Sequence, residues 1–160
     1  MALRNVLVVE NDNDSLRKRS REVEKIDEKI LTLIKDMKET LYDKNGVGLA
    51  APQIGILKRI IVIDIGEGPI VLINPVIAYQ KGEVVDVEGC LSVPGVWGTV
   101  NRPQEVIVRG MNPDGEMVEM KGEGLLAKAF CHEIDHLNGI IYTDKVIDFI
   151  DPSQIQQEEN

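Results

Sequence analysis

Only two cysteines, Cys90 and Cys131, occur in the 160 residues, too few to staple a secreted disulfide scaffold of this length. A reducing compartment is therefore expected. Positive charge is in deficit, with 18 Lys and Arg against 27 Asp and Glu and a pI near 4.7. The resulting net charge of −9 argues against a nucleic-acid backbone or an anionic membrane as the main partner. Long apolar runs are missing too: nothing approaches a membrane span, and Val6 to Val9 is too short for the apolar region of a signal peptide. A cytoplasmic location without signal or transit peptide is expected. Internal repeats and low-complexity tracts are also lacking, which leaves the polar stretch from Gln154 to Asn160 as the one biased segment.

What is present reads as one folding unit. At 43% hydrophobic and 28% charged residues, the composition is that of a globular chain able to bury a core. A single domain over residues 1–150 is expected, followed by a short polar tail at 151–160 with no long C-terminal helix. From Lys25 to Asp43, apolar residues recur at Ile26, Ile30, Leu33, Ile34, Met37 and Leu41, the stripe of an amphipathic helix, and Asn45-Gly46 ends it. Short β-like runs follow at Arg59–Ile65, Ile70–Ile77, Glu83–Val87, Val106–Met111 and Glu116–Met120, punctuated by turn residues such as Asn112-Pro113-Asp114-Gly115. No segment between Gly55 and Gly122 has room for a crossover helix, so the strands should pair antiparallel. A second helix is expected from Gly124 to Leu137, stopped by Asn138-Gly139. The fold class is α+β.

Both histidines of the chain fall on that second helix, in His132-Glu133-Ile134-Asp135-His136. Residues four apart share a helix face, so two imidazoles can converge on one metal ion while Glu133 reaches a water beside it. Two histidines scattered at random would land four apart only about one time in eighty, which lifts the pattern above a solvated helix face. The third ligand decides the class of site. A metzincin would need a histidine where Tyr142 stands, and only 24 residues follow His136, too few for the downstream glutamate helix of a thermolysin-like enzyme.

The remaining soft donor upstream is Cys90, within Glu88-Gly89-Cys90-Leu91-Ser92, where Leu91 could offer its N–H to a developing oxyanion. Cys131 points about 100° away from His132 around the helix and is read as packing. Three protein ligands with one open position describe a catalytic metal site. Glu88 is placed to orient a ligand histidine, with a surface salt bridge as its plainer alternative. Gly46-Val47-Gly48-Leu49-Ala50-Ala51-Pro52-Gln53 follows a helix and runs into a proline, so it is neither a dinucleotide fingerprint nor a P-loop. Its Gln53 amide can donate to an oxyanion.

Taken together, Gly46–Gln53, Glu88–Ser92 and His132–His136 resemble the GxGLAAPQ, EGCLS and HExxH motifs of the peptide deformylase family, in order, and the resemblance spans Val6 to Asp148. It implies antiparallel sheets packed around the HExxH helix and removal of the formyl group from N-formylmethionine of nascent polypeptides, with a place near the ribosome. It further implies Cys90, His132 and His136 as metal ligands, Glu133 as general base and acid, and Gln53 with the Leu91 N–H as oxyanion donors. Val47, Gly48 and Gly89 would hold the peptide backbone. The implied cofactor is one divalent ion, Fe(II), with Zn, Ni or Co as substitutes. A small metallopeptidase and a metal-binding protein without turnover are the rival readings.

Overall fold

The computed structural model describes residues 2–151. The elements run, in chain order, α1 (Val9–Leu16), α2 (Glu28–Asp43), β1 (Gly48–Ala50), β2 (Ile60–Ile63), β3 (Ile70–Lys81), β4 (Val84–Cys90), β5 (Val93–Arg102), β6 (Glu105–Met111), β7 (Met117–Glu123), α3 (Leu125–Leu137) and β8 (Val146–Ile150). Short 3₁₀ turns stand at Ala51–Ile54 and Tyr142–Asp144. The strands form two antiparallel sheets, one ordered β1-β2-β3-β6-β7 and the other β4-β5-β8.

The larger sheet lies between two helices, and β2 shows why its sequence is apolar without alternation. All four residues of Ile60-Ile61-Val62-Ile63 are buried. Ile60 and Val62 join Leu33, Ile34, Met37 and Leu41 of α2, whereas Ile61 and Ile63 join Ala127, Phe130, Ile134 and Leu137 of α3. Side chains alternate across a strand, so a strand covered on both faces must be apolar at every position. The expected stripe of α2 is the one that packs. Its start lies three residues later than Lys25 because Asp27 caps it, its Oδ1 accepting from the Ile30 N–H at 3.0 Å.

Three strands carried no signal in the sequence. β1 is only three residues long, β5 begins Val93-Pro94-Gly95 with a second glycine at Gly98, and β8 is a mostly exposed edge strand. Glycine and proline weaken a strand pattern, yet here two neighbouring strands hold β5 on both sides. The α1 helix also escaped notice, since Asp12 breaks it with φ −125° and ψ 23°. Of the expected polar tail, residues 152–160 lie outside the described residues. No helix among the described residues is long and apolar enough to cross a membrane.

Asn138-Gly139 ends α3 as expected, and the structure adds a reason for glycine. Gly139 has φ +75°, and a Cβ there would run into the backbone carbonyl of Arg17. Gly139→Ala should therefore cost roughly 2 kcal/mol from strain and overlap together. Thermal melting should show a Tm lower by about 4–8 °C for a chain of this size. An unchanged Tm would mean that the Arg17 carbonyl does not lie there.

Candidate metal centre

α3 is apolar on the face that meets the sheet, and this buries the histidines with it. His132 is 8% exposed, Glu133 4% and His136 not at all. β4 brings Glu88 and Cys90 to the same place. Its pairing with β5 is interrupted by a bulge between Glu88 and Cys90, so that both side chains reach α3. Cys90 Sγ lies 3.3 Å from His136 Nε2, and Glu88 Oε1 lies 2.9 Å from His132 Nδ1. The Cys90 sulfur and the two imidazole nitrogens fall within 4.8 Å of one another.

Gln53, buried in the 3₁₀ turn after β1, is held in a fixed orientation. Its Oε1 accepts from the Ala50 N–H at 2.9 Å, which turns its Nε2 toward Ser92 Oγ at 3.1 Å and Cys90 Sγ at 3.6 Å. Gly48 passes close to the Glu133 carboxylate: a Cβ at position 48 would lie 2.5 Å from Glu133 Oε2. A Cβ at Gly89 would lie 2.7 Å from Trp97 Nε1. The two glycines allow this close approach, which explains why those positions carry no side chain.

Val47, Gly48, Gln53, Gly89, Cys90, Leu91, His132 and Glu133 line one cleft of about 1180 Å³. His136 does not line it and sits wholly buried behind the other donors. Trp97 is on the cleft wall as well. Cys131, by contrast, is buried in the apolar cluster between α3 and the larger sheet, where burial pushes its thiol up to about 11.

Several residues that hold the centre had no role in the sequence reading. Arg102, at the end of β5, donates to both Glu88 oxygens at 2.8 and 2.9 Å and to Asp135 Oδ2 at 2.7 Å. Lys145 adds a contact to Asp135 at 3.0 Å. The Tyr142 ring stacks near His132, with centroids 5.9 Å apart, and its hydroxyl donates to the Val96 carbonyl at 2.7 Å. Ser92 and Asp135 stood inside the quoted motifs, but only the fold shows their partners. Arg102 lies outside every motif.

Electrostatics separate the two carboxylates of the centre. Burial would raise Glu88, but Arg102 and then His132 outweigh it and hold the carboxyl down to about 2. On Glu133 burial outweighs the charges of His132 and Arg102, which act on it only through space, and raises it to about 7. Its Oε1 finds no hydrogen-bond partner among the described residues. Burial, followed by the charge of His132, holds His136 well below the ordinary imidazole range, leaving its ring neutral. Neutral imidazole nitrogen, a second imidazole and a cysteine sulfur form a donor set that fits a single divalent ion with an open position.

The family model described as Polypeptide deformylase matches residues 5–151. The peptide deformylase of Caldicellulosiruptor bescii is 54% identical over 160 residues, which is all of this chain and 95% of that protein. That of Alkaliphilus metalliredigens is 60% identical over 147 residues, 92% of this chain and 99% of that one. Among solved structures, the peptide deformylase of Thermotoga maritima superposes with a TM-score of 0.87 at 41% identity, covering 91% of this chain and 99% of that one. The peptide deformylase of Synechococcus elongatus in complex with actinonin gives 0.86 at 37% identity, over 96% and 84%.

Proposed function

The chain belongs to the polypeptide deformylase family, metallohydrolases that remove the formyl group from N-formylmethionyl polypeptides, and on that premise we propose how its own residues divide the work. Cys90, His132 and His136 hold the ion, Glu133 moves the proton, and Gln53 with the Leu91 N–H meets the oxyanion. The observation that carries this is the convergence of the Cys90 sulfur and two imidazole nitrogens within 4.8 Å, beside a buried carboxylate oxygen that has no hydrogen-bond partner among the described residues.

When bound, the divalent ion supplies Lewis-acid polarisation and makes water a stronger acid. Glu133 takes a proton from the attacking water, whose oxygen bonds to the formyl carbon. The amide Nε2 of Gln53, fixed by Ala50 and Ser92, donates to the oxygen on which charge develops. Glu133 then returns its proton to the amine as the C–N bond breaks, so that formate and a free methionyl amine separate. A carboxyl near 7 suits both directions of this transfer. Val47, Gly48 and Gly89 flank the cleft floor and offer backbone to the substrate chain.

The ion we propose is Fe(II), and the same donors would accept Zn, Ni or Co. The substrate is the formylmethionine end of a nascent polypeptide, met near the ribosome in the cytoplasm, and residues 1–150 act as one catalytic domain with a polar tail at 151–160. Incubating the purified protein with a formyl-Met peptide, its acetyl-Met analogue and an unblocked peptide, with metal content measured alongside, tests the reading. Formate should come from the first alone. Cleavage of internal peptide bonds would favour a metallopeptidase, and bound metal without any turnover would favour a plain metal-binding protein.

Glu88 serves as the strut for His132, and Arg102 as the strut for Glu88. Glu88→Gln should weaken metal affinity by about 10–100-fold, read by competition with a chelator. The carboxylate also stabilises the fold. Its folded pKa is depressed to about 2 from 4.5, so the contribution is present above pH 4.5 and is lost as pH falls from there toward 2. Denaturant melts of wild type and Glu88→Gln should accordingly converge as pH approaches 2, and a gap that stayed constant would remove Glu88 from this role.

A further inference from the structure

A second cleft, of about 900 Å³, shares no lining residue with the metal centre. It is formed where the chain from Arg19 onward meets Lys58 and Arg59, through the parallel bridge between Arg21 and Lys58. Six cations line it, Arg19, Arg21, Lys25, Lys29, Lys58 and Arg59, against the three acids Glu22, Glu24 and Asp27. This local excess of positive charge sits in a protein of net charge −9.

Among the described residues, the cleft gathers six unpaired cations in one place, whereas seven of the twelve Lys and Arg outside it are paired and Lys18, Lys35, Lys38, Lys44 and Lys81 stand apart from it. Arg4, Arg17, Arg102, Arg109, Lys121, Lys128 and Lys145 each have a carboxylate partner. Among the described residues, none of the six cleft cations has one within 4.0 Å, although Glu22 is close enough to act on Arg59 through space. Asp27 already spends its side chain on the α2 cap. Arg59 is 8% exposed, and its guanidinium donates to the Leu137 carbonyl at 3.0 Å and Asn138 Oδ1 at 3.0 Å, at the C-terminal end of α3. That arrangement sets the guanidinium against the partial negative charge of the helix end, and no carboxylate joins it within 4.0 Å among the described residues. Burial and the nearby Arg19 both work against the Arg59 charge.

A second, independent feature lies in the same wall. Ser20 is 3% exposed, lines the cleft, and its Oγ has no hydrogen-bond partner among the described residues. A buried hydroxyl without a partner costs free energy that a bound acceptor would recover. Arginine forks match the paired oxygens of phosphate, lysines add point charge, and a hydroxyl donates one more bond. A single carboxylate could not offset so many cations, whereas a phosphate-bearing anion could.

We propose that the cleft bounded by Arg19–Arg21, Lys58 and Arg59 is a second binding site that takes phosphate groups. The phosphate can come from a small free anion or from an RNA backbone, and the test separates them. The wild-type protein is titrated at low salt with inorganic pyrophosphate by calorimetry and with fluorescein-labelled oligouridylate by anisotropy. The compared variant is Arg19→Gln/Arg21→Gln/Lys58→Gln, which leaves the buried Arg59 in place. A control variant, Arg109→Gln/Lys121→Gln, removes paired cations from the far β6–β7 hairpin.

Binding of either probe should weaken at least about tenfold in the triple variant, and the salt dependence should fall by about one unit of slope per lost contact. The control variant should bind as wild type does. Oligouridylate binding that pyrophosphate displaces identifies an RNA backbone as the source, and pyrophosphate binding alone identifies a small anion. Formate release from a formyl-Met peptide should be unchanged in the triple variant, which reports on the metal centre separately. The proposal is overturned if neither probe binds wild type, if the triple variant binds as well, or if the control loses as much.

Discussion

Glu133→Gln should keep its metal and its fold while turnover of a formyl-Met peptide falls by about 10²–10⁴-fold, the usual worth of general acid–base transfer. The amide has nearly the shape of the carboxylate, and shape matters here because Gly48 passes so close to Glu133 that even a methyl group would overlap it. The Cys90, His132 and His136 donors are untouched by the change, so metal analysis should return one ion as before. The pH behaviour adds a second reading. Burial holds the native carboxyl near 7, whereas an unfolded glutamate titrates near 4.5. Between those values the folded metal-free protein binds the extra proton, so its stability declines as pH rises. The Gln variant lacks that decline and should melt higher than wild type in metal-free form above pH 7. A metal-free, unfolded variant under all conditions would instead make Glu133 a structural residue.

The α2 and α3 helices and the inner strands of the larger sheet were legible because each carries a pattern that matches its packing. The stripe of α2 and the turn residues after α3 are written locally, and the lack of space between Gly55 and Gly122 was enough to decide antiparallel pairing. β5 was hidden because Pro94, Gly95 and Gly98 dilute its pattern, and its strand character comes from β4 and β8 on either side. The centre shows the same division. His132, Glu133 and His136 share one helix, so their convergence follows from its pitch. The partners Arg102, Asp135 and Tyr142 depend on the crossing of β5 and the Tyr142 turn with α3, which no local spacing encodes. The phosphate cleft was masked by the net charge, since an average of −9 conceals six cations gathered by one bridge.

The two cysteines differ so much in surroundings that one conservative substitution should give opposite results. In Cys90→Ser a hard hydroxyl replaces a soft sulfur among the three donors, and the alcohol does not ionise near neutral pH. Loss of a residue that merely orients a ligand costs about 10–100-fold in metal affinity, so loss of the donor itself should exceed about 100-fold. Turnover should fall with the bound metal, and added Fe(II) or Ni(II) should restore only part of it. Cys131→Ser places its hydroxyl among Ile61, Ala127, Phe130 and Ile134, in the cluster on the other side of the helix. Burying a hydroxyl there should cost about 1–3 kcal/mol of stability. It should leave the ion and the turnover of the folded enzyme near wild type, because a thiol held up to about 11 carries no charge to give a metal at neutral pH. Alkylation offers an independent check: chelation should expose Cys90, which lines the cleft, to iodoacetamide, while buried Cys131 reacts only on unfolding. Equal loss of metal in the two variants, or faster labelling of Cys131 than of Cys90, would overturn the assignment of Cys90 as a ligand.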